Sequence, residues 1–169
     1  FFQPAEETTG GALRMIQAGC LENPHVDYVL GLHVSSLYEA GSAGVRYGNM
    51  MAASDEFTIK ILGASCHGAH PDDGIDPIPA AAAMVQALQT IVSRNVNAFH
   101  PSLLSVTRIQ AGNTWNVIPE TAELEGTVRT MDKNDRELYR ERLCQIAENT
   151  ALAYGAKAQI QWIPGPPAV

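Results

Sequence analysis

Apolar side chains recur along this chain with two different periods, and the switches between them mark out its elements. Phe57, Ile59 and Ile61 alternate with Thr58 and Lys60, which predicts a strand with one buried face. From Asp76 the period lengthens. Ile78, Ala81, Val85, Leu88 and Val92 fall at helical spacing, with Asp76 placed to cap and Pro77 at the first helical position. Leu104 and Val106 mark a second strand. Ala122, Leu124, Gly126 and Val128 alternate with Glu123, Glu125, Thr127 and Arg129 as a third. Asp132 heads a second helix, with Asp135 in its first turn, an apolar stripe of Tyr139, Leu143, Ile146, Ala147 and Tyr154, and Gly155 as its stop. Ala158, Ile160 and Trp162 alternate as a fourth strand. The order β-α-β-β-α-β over residues 54–163 predicts a ferredoxin-like α+β unit, an antiparallel sheet with two helices on one face.

Residues 1–53 carry a different pattern. Phe1-Phe2 predicts the end of a strand. Thr8 or Thr9 is placed to cap a helix over residues 10–18, with Leu13, Met15 and Ile16 apolar and Gly19 as the stop. Residues 26–34 form a nearly continuous apolar run, as expected of a strand buried on both faces of a parallel sheet. Residues 43–47 predict a further short strand. The segment reads as a fraction of an α/β domain with too few strands to bury itself. Residues 164–169, rich in proline, read as a connector. The absence of an initial Met and the Phe-Phe start suggest an internal piece of a longer protein.

Composition narrows the function. With 169 residues, 46% hydrophobic and 17% charged, the chain has the make-up of an ordinary globular protein. A formal charge of -7 and a pI near 5.1 argue against nucleic acid or an anionic membrane as partner. No apolar run approaches the roughly 20 residues of a membrane helix. Cys20, Cys66 and Cys144 are odd in number and lack a CxxC spacing, which fits a reduced, cytoplasmic setting better than a disulfide scaffold.

Five places carry candidate chemistry, each with a plain structural alternative. Glu6 and Glu7 are adjacent carboxylates before a Gly-Gly helix start. They suit a metal ligand beside a general base, or merely the positive end of a helix dipole. His33, in Gly31-Leu32-His33-Val34, is a borderline metal ligand or a satisfied core histidine. His67 and His70 lie in the small-residue loop Gly63-Ala64-Ser65-Cys66-His67-Gly68-Ala69-His70-Pro71, where they can donate to an oxyanion, bind metal, or simply sit in a solvated turn. Asn116, in Gly112-Asn113-Thr114-Trp115-Asn116-Val117-Ile118-Pro119, binds a ligand or holds the turn through its own side chain. Arg129 forms a bidentate clamp for a carboxylate, or a surface ion pair with Glu123 or Glu125. Cys66 lacks a visible orienting group and is a poor candidate nucleophile.

Taken together these stretches carry a resemblance. Phe2-Gln3-Pro4-Ala5-Glu6-Glu7, Gly31-Leu32-His33-Val34, His67-Gly68-Ala69-His70-Pro71, Asp76-Pro77, Asn116-Val117-Ile118-Pro119-Glu120 and Gly126-Thr127-Val128-Arg129 stand in the same order as in the aminoacylase–carboxypeptidase family of dinuclear metallohydrolases. The nearest branch is that of hippurate hydrolases, N-acyl-amino-acid amidohydrolases and indole-acetyl-amino-acid hydrolases. The resemblance implies an α/β catalytic domain, here residues 1–53, interrupted by a ferredoxin-like lid at 54–163 that dimerises, with 164–169 leading back. It implies hydrolysis of an N-acyl amino acid or dipeptide by two divalent ions (Mn, Zn, Co or Ni), in a homodimer. Glu6 then resembles the general base, Glu7 and His33 metal ligands, and His67 the lid histidine that polarises the scissile carbonyl. Asn116 and Arg129 resemble the residues that hold the substrate carboxylate, and Gly112 lies in the turn that brings backbone near substrate.

The departures matter as much. The family's upstream ligands, in a Cys-Gly-His-Asp-like motif, and its late C-terminal histidine have no counterpart here, so Glu7 and His33 are the only expected ligands present. The resemblance therefore implies a fragment inactive by itself. A non-catalytic dimerisation or small-ligand-binding module is the competing reading.

Overall fold

The computed structural model describes residues 1–5 and 10–169 and divides into two units, Phe1–Arg46 and Tyr47–Val169. In the first, helix α1 (Gly11–Gln17) forms where the apolar spacing predicted it. Its N-cap is Gly10 rather than Thr8 or Thr9, which lie outside the described residues. Gly19, at φ +79°, closes the C-terminus as its N–H returns to Ile16 O.

The strands expected in this unit are not there. Among the described residues of Phe1–Arg46 no ladder forms, only an isolated bridge between Glu22 and His25. Phe1 and Phe2, the run 26–34 and residues 43–47 join no ladder, and Leu30 and Leu32 are more than 90% exposed. The physical reason is elementary. A continuous apolar run can be buried on both faces only between neighbouring strands, and a single extended segment has none to exchange N–H and C=O groups with.

The second unit follows the predicted order. Strand β1 (Ala53–Leu62) leads through a short β2 (Cys66–His67) and a 3₁₀ turn (Pro71–Asp73) to helix α2 (Pro77–Thr90). A single π turn, Ile91–Asn95, extends α2. Then come β3 (Ser102–Ala111), a two-residue β4 (Val117–Ile118), β5 (Thr121–Thr130), helix α3 (Lys133–Ala153) and β6 (Lys157–Ile163). The main sheet has the order β3-β5-β1-β6, and every neighbouring pair in it is antiparallel. This is the ferredoxin-like arrangement, with β3 and β6 at the edges.

Both helix starts are capped as their sequences predict. Asp76 accepts from Ile78 N, and Asp132 from Asn134 N and Asp135 N. The buried stripe of α2 is rotated from expectation: Ala80, Ala81, Met84, Leu88 and Ile91 are buried, while Ile78 is 46% exposed. In the first turns Pro77 and Ala80 occupy the inward face, and small side chains let the helix approach the sheet closely. These residues, with Tyr139, Leu143, Ala147 and Ala151 of α3, cover Phe57, Ile59, Ile61, Leu104, Leu124 and Val128. Tyr154, expected in the stripe, caps α3 and is half exposed.

The uncovered face of the sheet carries Glu56, Lys60, Arg108, Glu123, Glu125 and Arg129. Residues 49–54 and 164–169 run side by side: Met50 N and Met51 N donate to Val169 O at 2.6 and 2.8 Å, and Ser54 N to Pro166 O at 3.2 Å.

Candidate functional site

The small ladder between β2 and β4 organises the site. His67 lies opposite Val117 and Cys66 opposite Ile118. Gly68 N donates to Asn116 O at 2.8 Å, and Ser65 Oγ to Ile118 O at 2.8 Å. The loop on the far side is closed just as tightly. Ala64 and Ile75 exchange both backbone bonds, at 2.9 and 3.0 Å. A Cβ on Gly74 would fall within 2.5 Å of Ala64 O and of Cys66 Sγ, so only glycine fits there. The two motifs, some fifty residues apart in sequence, are thus one structural feature. Ser65, Gly68 and Gly74 are the parts that the sequence reading did not single out. Their signal was a density of small residues around the histidine.

Within that feature His67 is exposed, and its Nδ1 accepts from Ala69 N at 3.1 Å. His70 N turns back to His67 O at 2.8 Å, and the two rings stand 5.8 Å apart, tilted by 52°. Asn116 is half-buried. Its Oδ1 accepts from Thr114 Oγ1 at 3.1 Å, so its side chain does stabilise its own turn. Gly112 opens that turn at φ +69°, a left-handed conformation that favours glycine.

Arg129 sits apart from this pair. It lies on the exposed face near the end of β5, in register with Ser54 and Leu103. Eight residues of extended chain separate it from Thr121, about 26 Å at roughly 3.3 Å per residue. Arg129 and Asn116 therefore do not converge within one chain. Nor does Arg129 form the alternative ion pair with Glu123 or Glu125. Arg108 occupies Glu123 and Glu125, at 3.1 and 2.5 Å, and also bonds Gln110, leaving Arg129 without a carboxylate partner among the described residues.

Glu6 and Glu7 lie outside the described residues. His33 is exposed, and its Nδ1 lies 2.7 Å from Val34 O. A carbonyl oxygen only accepts, so Nδ1 carries the hydrogen and the Nε2 lone pair is free. That tautomer leaves Nε2 available to a metal, with the other nitrogen oriented by a backbone carbonyl as in many metal-ligating histidines. The donor set present, a carboxylate pair and an imidazole, therefore fits a divalent ion.

A second group with metal-compatible spacing was not anticipated. The ligand atoms of His100, Asp132 and Asp135 all lie within 4.8 Å of one another. All three have structural work already. Asp132 Oδ1 caps α3, and Asp135 Oδ2 lies 2.7 Å from His100 Nδ1, clasping the loop before β3 to the helix.

Cys66 behaves as a structural thiol. Desolvation first, then the charges of Asp73, Asp76 and Asp72, push its thiol up and disfavour the nucleophilic thiolate. Cys20, Cys66 and Cys144 are all free.

Comparison with known proteins agrees with this architecture. A family model described as the peptidase dimerisation domain matches residues 52–155. The chain belongs to the peptidase dimerisation domain family. An N-acetylcysteine deacetylase from Bacillus subtilis (strain 168) is 43% identical over 168 residues, covering 99% of this chain and 44% of the relative. Among solved structures, a putative aminohydrolase from methicillin-resistant Staphylococcus aureus superposes with a TM-score of 0.91 at 32% identity, over 99% of this chain and 44% of that one. A dinuclear metal-binding peptidase of the M20 family from Bacillus subtilis gives a TM-score of 0.77 at 39% identity, over 99% and 41%. The chain thus spans less than half the length of the curated relatives it matches. No helix among the described residues is long and apolar enough to cross a membrane.

Proposed function

We propose that this chain is the lid-bearing part of a metal-dependent amidohydrolase that cleaves the amide bond of N-acyl amino acids. The observation that carries the reading is the β2–β4 ladder, which sets His67 beside Asn116 on a dimerisation domain whose relatives include a deacetylase of an N-acylated amino acid. Residues 1–53 belong to the catalytic domain, 54–163 form the lid, and 164–169 return towards the catalytic domain. Three free cysteines accord with a cytoplasmic setting.

Glu7 and His33 would hold metal, together with ligands from elsewhere in the full-length protein. Two divalent ions, when bound, supply positive charge and lower the pKa of water at neutral pH. Glu6 takes the proton of the attacking water and returns it to the leaving amine. His67 polarises the scissile carbonyl, while Asn116 and Arg129 hold the substrate carboxylate, the arginine as a planar fork. Gly112 shapes the turn that presents Asn116.

The separation of Arg129 from His67 and Asn116 favours a site shared across a two-fold homodimer. One protomer contributes the histidine and asparagine and its partner the arginine. The unpaired edges of β3 and β6, or α2, are available for that contact.

The test uses the full-length protein. N-acetyl and N-benzoyl amino acids should be hydrolysed, and chelation should abolish turnover. Glu6→Gln should lower kcat by orders of magnitude with metal retained, whereas Glu7→Ala should lose metal. A protein with bound metal and no activity on any N-acyl amino acid would favour the non-catalytic binding module.

A further inference from the structure

We infer that the backbone N–H of Ala69 locks His67 as its Nε2–H tautomer, making this histidine a hydrogen-bond donor towards an oxygen rather than a metal ligand or proton acceptor. A neutral imidazole has one N–H and one lone pair. Ala69 N donates to Nδ1 at 3.1 Å, so the lone pair is at Nδ1 and the hydrogen at Nε2. The opposite tautomer would set Nδ1–H against Ala69 N–H, two donors facing each other with one bond lost. The loss of a hydrogen bond of ordinary strength shifts the tautomer ratio by about tenfold.

The lock is built from main chain. His70 N to His67 O closes the turn that aims Ala69 N–H, and Gly68 N to Asn116 O fixes the turn to the neighbouring loop. A Cβ on Gly68 would meet Asn116 backbone at 3.3 Å, so the two loops are already in close contact. No side chain among the described residues partners the His67 ring nitrogens. His33 provides the contrast: its Nδ1 faces a carbonyl and its Nε2 is left as the acceptor. The two histidines are held by their own backbone in opposite tautomers.

Which oxygen His67 serves rests on the proposed amidohydrolase reading, where it is the scissile carbonyl. The tautomer itself does not. Ala69 acts through His67 and is a positioning residue.

The tautomer is read on this chain, uniformly labelled with ¹⁵N, at a pH above the imidazole range of about 6.5. Long-range ¹H–¹⁵N correlation should give His67 a protonated, pyrrole-like Nε2 and an unprotonated, pyridine-like Nδ1. A through-hydrogen-bond ¹⁵N–¹⁵N coupling should join Nδ1 to the amide nitrogen of Ala69. A protonated Nδ1, or equal averaged shifts on both nitrogens, overturns the inference. In the full-length enzyme, glutamine places an N–H near the position of Nε2 and asparagine near that of Nδ1. His67→Gln should retain at least about tenfold more kcat than His67→Asn, in line with one hydrogen bond kept or lost. Equal loss in both variants, or better rescue by asparagine, overturns the donor role while leaving the amidohydrolase reading intact. A wild-type enzyme without amidase activity would fail that reading alone, and the nitrogen shifts would still decide the tautomer.

Discussion

Arg136 of α3 grips Asp55 of β1 with two nitrogens, Nε to Oδ2 at 2.8 Å and Nη2 to Oδ1 at 2.5 Å, and the Asp55 side chain has no exposed surface. Gly165 completes the arrangement. Its carbonyl accepts from Arg136 Nη2 at 2.8 Å, and its N–H donates to Asp55 Oδ1 at 3.0 Å. One ion pair therefore ties α3, β1 and the outgoing segment together. The Asp55 carboxylate, chiefly by hydrogen bonding, holds the proton on Arg136 even more firmly than usual, against the partial desolvation that opposes it.

Breaking one side of that pair should be costly. Arg136→Met leaves a buried carboxylate with a single backbone donor, and the expected loss is about 3–5 kcal/mol. Asp55→Asn with Arg136→Met should cost less than the sum of the single changes, because neither then strands a charge. Urea unfolding followed by circular dichroism measures both. A loss under about 1 kcal/mol for Arg136→Met would show that the pair contributes little.

Tyr139 sets an alkaline limit on the fold. It is fully buried, and burial pushes its phenol up, helped by Asp135 and opposed by the bond to Ser102 Oγ at 3.0 Å. The folded chain binds the phenolic proton more tightly than the unfolded chain does. The associated stability is present below the ordinary tyrosine value of about 10 and is lost as pH rises through the higher folded value. Tyr139→Phe should cost about 1 kcal/mol at neutral pH through the lost bond, yet shift the alkaline unfolding midpoint upward. A pH titration of both proteins that leaves this midpoint unmoved would exclude Tyr139 as its cause.

The raised thiol of Cys66 makes a kinetic prediction. Iodoacetamide should modify it more slowly than a free thiol at neutral pH, because only thiolate reacts. Asp72→Asn and Asp73→Asn should each speed the reaction by removing a negative charge, and alkylation rates by mass spectrometry read the difference. Unchanged rates in both variants would exclude Asp72 and Asp73 and leave desolvation and Asp76 as the causes.

Periodicity located the lid because each of its elements has a partner within the same stretch of chain. Phe57, Ile59 and Ile61 find the inward residues of β5 and β6, and Asp76 and Asp132 cap helices that pack on them. The run at 26–34 failed for the converse reason: hydrophobicity signals burial, but a strand also needs neighbours. Asp55 was legible and missed. It occupies an inward position in the alternation Ala53, Asp55, Phe57, Ile59, Ile61, and a charge on a buried face calls for a partner. The placing of His67 next to the Asn116 loop depends on a two-residue ladder too short to leave a period. The tautomers of His33 and His67 depend on where one backbone atom points, which side-chain chemistry alone does not determine. The position of Arg129, by contrast, follows directly from strand length.

That length leads to the most discriminating experiment. His67 and Asn116 lie beside the start of β5, and Arg129 near its other end, so one lid does not bring all three to one substrate. If His67 and Arg129 of a working site come from different protomers, two inactive variants should complement each other. In the full-length enzyme, His67→Ala and Arg129→Ala should each be nearly inactive. In a heterodimer of the two, one site lacks both residues and the other retains both. Random mixing makes half the dimers mixed, so unfolding and refolding the variants together should restore about a quarter of wild-type activity. Separately refolded variants, pooled only for the assay, should restore none before subunits exchange. If both residues served one site from the same protomer, every heterodimer site would lack one of them. Mixed dimers, confirmed by differential tagging, would then be as inactive as the parents, and the shared site would have to be abandoned.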